Sequence, residues 1–186
     1  MNKKPFSSGT AVSCVLFALG AAMPAAAEVV SSADNGCLIR QTVHLAAAPQ
    51  QVYDAIIQPG KWWNPEHTFS GSAANLTLDA RAGGCFCEKL PDGGSTQHMQ
   101  VVLAVPGKTL MLRGALGPFQ GQGVAGALTW KMVAAGSGSG TDLTLTYILG
   151  GYLTLPGGFA DWSKRADAML ATQVARLQKF VEKTPH

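Results

Sequence analysis

The chain has 186 residues, 47% of them hydrophobic and 13% charged, with a formal charge of +3. That length makes one domain able to bury roughly 70% of its extended surface without disulfide staples. Near-neutral charge and only 8% aromatic residues speak against a nucleic-acid partner.

Lys3 and Lys4 precede an apolar run from Ala11 to Ala22, and Ala25-Ala26-Ala27 supplies the small residues of a cleavage site. The run is too short to span a bilayer, and nothing later is long and apolar enough to do so. Residues 1–27 therefore read as a signal peptide and 28–186 as a single domain, periplasmic or secreted, with no stable membrane insertion. Three cysteines remain after cleavage: Cys37, Cys85 and Cys87. Two positions apart in a strand, Cys85 and Cys87 would hold their Cα atoms about 6.6 Å apart, near the limit for bridging. A disulfide, if formed, is expected to use Cys37.

Cys37 to Leu45 alternates as a strand. Pro49 then suits the first turn of a helix whose Val52, Ala55 and Ile56 share a face. Pro59-Gly60 ends that helix, and Lys61-Trp62-Trp63-Asn64-Pro65 reads as a further turn. Adjacent tryptophans cannot share one face, so at least one is expected at the core and the other at a rim or pocket mouth. From Leu76 to Leu149, short strands alternate with glycine- and proline-rich turns in the manner of an antiparallel meander. Leu128, Trp130 and Met132, and again Leu143, Leu145, Tyr147 and Leu149, mark apolar faces. Gly121-Gln122-Gly123-Val124-Ala125-Gly126 matches a dinucleotide fingerprint, but strand-like Leu128-Thr129-Trp130 follows it where a helix is needed. It reads instead as a mobile hairpin loop. No cofactor or metal is expected: Cys85, Cys87, His67 and His98 lack zinc-site spacing.

Phe159 to Lys183 is the only long amphipathic helix in the sequence. Phe159, Trp162, Ala166, Met169, Leu170, Val174, Leu177, Phe180 and Val181 fall on one stripe, and Trp162→Ala should cost about 3–5 kcal/mol if the tryptophan is buried. Gln173 interrupts the stripe, so it meets either a buried hydrogen-bond partner or a cavity.

The order strand, two short helices, six-strand meander and long helix resembles the helix-grip fold of the SRPBCC superfamily, which includes START domains, polyketide cyclases and heat-shock ATPase-activator-like proteins. Pro49 to Ile56, Lys61-Trp62-Trp63 and Gly83-Gly84-Cys85-Phe86 carry the resemblance. It implies an α+β fold in which a curved antiparallel seven-stranded sheet wraps a long C-terminal helix, with two short helices after the first strand and a cavity for apolar or aromatic molecules between sheet and helix.

If Phe86 faces inward, as in the family pattern, so does Glu88. It then needs hydrogen bonds, a cation such as Arg113 or a raised pKa; alternatively it lies at a wet rim. Trp63, His67, Glu88, Trp130, Tyr147 and Gln173 are the candidate ligand-binding residues. Glu88→Leu is expected to leave the empty protein unchanged or more stable. The sequence shows no catalytic constellation, so the first reading is an exported binder or carrier of a small hydrophobic or aromatic ligand. The alternative is a cyclase- or dehydratase-type enzyme using Glu88, His67 or His98 as acid or base.

Overall fold

The computed structural model describes Met1, residues 26–136 and residues 139–184. Residues 2–25 of the expected signal peptide lie outside the described residues. The strands are β1 (Ala26–Ala33), β2 (Gly36–Leu45), β3 (Leu76–Leu78), β4 (Cys85–Lys89), β5 (Ser95–Val105), β6 (Thr109–Gly114), β7 (Gly123–Ala134) and β8 (Thr141–Tyr152). The helices are α1 (Pro49–Ile56), α2 (Pro59–Trp62) and α3 (Gly158–Lys183). All eight strands form one antiparallel sheet in the order β1-β2-β8-β7-β6-β5-β4-β3. This is the helix-grip architecture, with one strand more than the seven expected. No helix among the described residues is long and apolar enough to cross a membrane.

The inner face is built from cross-strand rows. Ile39 pairs with Tyr147, Tyr147 with Leu128, Leu128 with Leu112 and Leu112 with Val101, and all five are buried. Alternation along each strand puts these residues on one side, where burial of each is worth about 1.5–3 kcal/mol. Against that face lies α3, with Phe159, Ala166, Leu170, Val174, Leu177 and Val181 buried. Trp162, Met169 and Phe180 from the expected stripe are only partly buried. The large stability cost anticipated for Trp162→Ala therefore does not apply.

The extra strand, β1, pairs with β2 through a two-residue turn, Asp34-Asn35. Asn35-Gly36 is a hairpin signal in the sequence, but the small and polar residues ahead of it carry little strand pattern.

The glycine-rich segment expected as a loop is also partly strand, since Gly123 to Gly126 opens β7 opposite Tyr152 to Leu149. A Cβ on Gly126 would fall 2.3 Å from the Ile148 carbonyl oxygen, so the close pairing there needs glycine.

A bulge separates the pairs Phe86–Met99 and Cys87–Gln97, so that His98 is an extra residue on β5. Both His98 and Met99 consequently face inward. On β4, opposite, Cys85 and Cys87 are joined by a disulfide with their Cα atoms 5.4 Å apart. Cys37 is free and buried. The expectation that a bridge must use Cys37 is thus corrected: the regular strand repeat that kept Cys85 and Cys87 apart does not hold beside the bulge.

Ser163 is buried on α3, and its hydroxyl meets no partner among the described residues. Removing an unpartnered buried hydroxyl from a helix also improves helix propensity. Ser163→Ala is expected to leave stability unchanged or raise it by up to about 1 kcal/mol. A lowered denaturation midpoint would show that the hydroxyl is bonded.

Candidate functional site

Between the inner face of the sheet and the first half of α3 is a cavity of about 380 Å³, toward the lower end of the usual range for small-molecule sites. Its body is apolar and aromatic: Trp63, Phe86, Leu116, Phe119, Trp162 and Met169. Its rim is formed by Glu66, His67, Thr68 and Phe69 on one side and Arg165 on the other. Tyr147 and His98 also border it, Tyr147 with no exposed surface of its own.

The rim segment that follows α2 is fastened at both sides. Toward α3, Arg176 donates to the carbonyl oxygens of Trp62 (2.7 Å) and Trp63 (3.3 Å). Gln173, fully buried, accepts from the Asn64 amide at 2.9 Å, which orients its carboxamide so that Nε2 donates to His67 Nδ1 at 2.8 Å. Trp63 Nε1 donates to the His67 carbonyl at 3.1 Å.

Toward the sheet, Glu88 accepts from the Phe69 amide (3.1 Å) and the Ser70 amide (2.5 Å). His98 Nε2 lies 2.9 Å from the same carboxylate. Gln120 Nε2 donates to the Gln97 carbonyl (3.1 Å) and approaches His98 Nδ1 at 3.4 Å. That arrangement makes Nδ1 the acceptor and Nε2–H the donor to Glu88.

Burial by itself would raise the Glu88 pKa, but hydrogen bonds from Ser70, the Phe69 amide and His98 bring it below the ordinary carboxylate value. Burial lowers the pKa of His98, against the opposing pull of Glu88. The pair is therefore a carboxylate and a neutral imidazole at neutral pH.

Both shifts have the same consequence for folding. As pH falls, the unfolded chain takes up a proton on His98 below its ordinary 6.5, and on Glu88 below its ordinary 4.5, before the folded protein does. Stability is expected to be full above the first value and to fall in two stages below it. Asp167 acts in the opposite sense, because burial raises its pKa despite the hydrogen bond from Gln41. Urea midpoints measured from pH 7.5 to 4 check the decline, and a flat profile contradicts it.

Tyr147 is fully buried, and its hydroxyl oxygen accepts from the Leu116 amide at 3.0 Å. Burial raises the phenol pKa, with the Leu116 bond opposing, so the hydroxyl keeps its proton. That proton meets no acceptor among the described residues.

Of the candidates read from the sequence, Trp63, His67 and Tyr147 line the cavity. Glu88 is buried behind His98, bonded to the rim segment and not on the wall. Its partner is His98, whereas Arg113 is exposed. Gln173 likewise acts through His67 and Asn64. Trp130 is buried against Trp62, with ring centroids 6.2 Å apart, away from the cavity. Of the two tryptophans Trp62 and Trp63, expected to divide between the core and a rim or pocket mouth, both are buried, and Trp63 lines the cavity. Phe69, Phe119, Trp162 and Arg165 went unassigned because they come from three separated segments that only the tertiary fold brings together. The residues weighed as zinc ligands are in other pairings, and no group of three such ligands assembles among the described residues.

No family model and no curated protein matches the chain. Solved structures do. An uncharacterised protein from Rhizobium leguminosarum is 20% identical with a TM-score of 0.58, covering 86% of this chain and 99% of its own. Protein CV1439 from Chromobacterium violaceum is 20% identical with a TM-score of 0.55, over 79% of this chain and 98% of its own. The di-domain ARO/CYC BexL from the BE-7585A biosynthetic pathway is 16% identical with a TM-score of 0.54, covering 85% of this chain and 53% of its own, so this chain spans about half of BexL. At these identities the likeness is one of fold.

Proposed function

We propose that this protein is an exported binder or carrier of a small hydrophobic or aromatic molecule, held between the sheet and α3, and that it is a member of the SRPBCC superfamily. The observation that carries the reading is the pairing of an apolar, aromatic-walled cavity with candidate acid and base groups that are already bonded elsewhere. Both Glu88 oxygens and both His98 nitrogens have protein partners. His67 Nδ1 is taken by Gln173. A general base needs a free lone pair within reach of the substrate proton, and neither Glu88 nor His98 presents one to the cavity. Export rests on the lysine-led apolar run and the Ala25-x-Ala27 pattern in the sequence.

A cyclase- or dehydratase-type activity is the second reading, favoured by the shared fold with BexL.

Native mass spectrometry of protein purified from its own host tests the first reading. One small apolar molecule retained per chain is the expected result, with the intact mass beginning at Glu28. An empty chain that also fails to enhance phenylnaphthylamine fluorescence would remove the binding function. Conversion of the retained molecule during incubation would favour the second.

A further inference from the structure

The cavity mouth carries a cation against an aromatic wall. Phe119, in the turn that begins after Leu116, meets Trp162 edge-on with ring centroids 6.0 Å apart. The Arg165 guanidinium lies 5.0 Å from the centre of the Trp162 ring and has no carboxylate within 4.0 Å among the described residues. Aromatic surface therefore leads from the apolar body to a cation at the rim.

A guanidinium over an aromatic face is stiffened in position and presents its fork to an anion. An anion deeper in the cavity is disfavoured, because the ionised Glu88 behind His98 repels a second negative charge there. Glu66, the rim carboxylate, stands on the loop side and meets the Asn64 side chain at 3.4 Å.

We propose that the cavity selects an anionic amphipath: a flat, mostly apolar molecule whose carboxylate or similar anion is received by Arg165 at the cavity mouth. This rests on the ligand-binding reading above and adds the chemical class and its orientation.

Two fluorescent probes separate the Arg165 contact from simple space filling. Anilinonaphthalene sulfonate and phenylnaphthylamine share one aromatic body and differ by the sulfonate. Each is titrated into the full exported chain, with mutual displacement showing a common site. Arg165→Gln is expected to weaken the sulfonate probe about three- to tenfold, the range of a partly exposed charge-assisted contact, and to move phenylnaphthylamine less than about twofold. Arg165→Lys should recover part of the loss. Equal weakening of both probes, or an unaltered sulfonate probe, overturns the proposal.

Failure of phenylnaphthylamine itself to bind would strike the ligand-binding reading and not the assignment of Arg165.

Discussion

Replacing Trp62 by alanine should lower the stability of the folded protein by about 3–5 kcal/mol, the range for a large buried aromatic, which is much of the roughly 5–15 kcal/mol available to a domain. Trp62 is 3% exposed. It is tilted against Trp63 at 5.4 Å between centroids and meets Trp130 edge-on. Its indole N–H donates to the Ala55 carbonyl at 2.8 Å, closing α1 onto α2. Truncation removes the ring, leaves a cavity among Ile56, Leu112, Leu128 and Trp130, and frees a carbonyl. Equilibrium urea unfolding measures the loss. Trp62→Phe should recover much of it, because the packing returns without the hydrogen bond. A cost below about 1 kcal/mol would show that the tryptophan cluster is not a unit of the core.

Glu88→Leu is the second large effect, and its sign reverses the expectation formed from the sequence. A lone inward carboxylate would indeed be better replaced by an apolar residue. This one accepts two successive backbone amides and the imidazole of His98. Leucine would leave those donors unpaired in a buried place, at about 1–3 kcal/mol for each that finds no water. A loss of about 2–4 kcal/mol is expected, together with loosening of the segment from Thr68 to Ser72. Amide hydrogen exchange at Phe69 and Ser70 reads this directly. Unchanged protection there would mean that Glu88 does not hold the rim. Glu88→Gln should fall between, since the carboxamide keeps one acceptor but turns an NH₂ toward a donor.

What the sequence made legible is what local chemistry decides. The stripe on α3, Pro49 at the start of α1 and the alternation of β7 and β8 each follow from periods of 3.6 or 2. Those features sufficed for the fold. The site was only partly readable, because its polar groups are defined by partners far along the chain. Glu88 could be placed inward only through the family pattern, with a wet rim as the alternative, and its donors lie 18 and 19 residues earlier. Gln173 could be recognised as anomalous, but the groups that satisfy it are 106 and 109 positions away. The Cys85–Cys87 bridge was judged from ideal strand spacing, which fails beside an irregularity that no period announces.

That irregularity also bears on which insertions and deletions the chain can absorb. In a sheet with one buried face, losing one residue from a strand turns every later side chain to the wrong side. At His98 the reverse holds: Met99 already pairs with Phe86 and Gln97 with Cys87, so excising His98 would restore regular alternation on β5 and leave the flanking pairs as they are. At this point the sheet thus carries a residue that its pairing does not need. Loss of that residue would remove the imidazole between Glu88 and the cavity, and nothing else in the register would record the change.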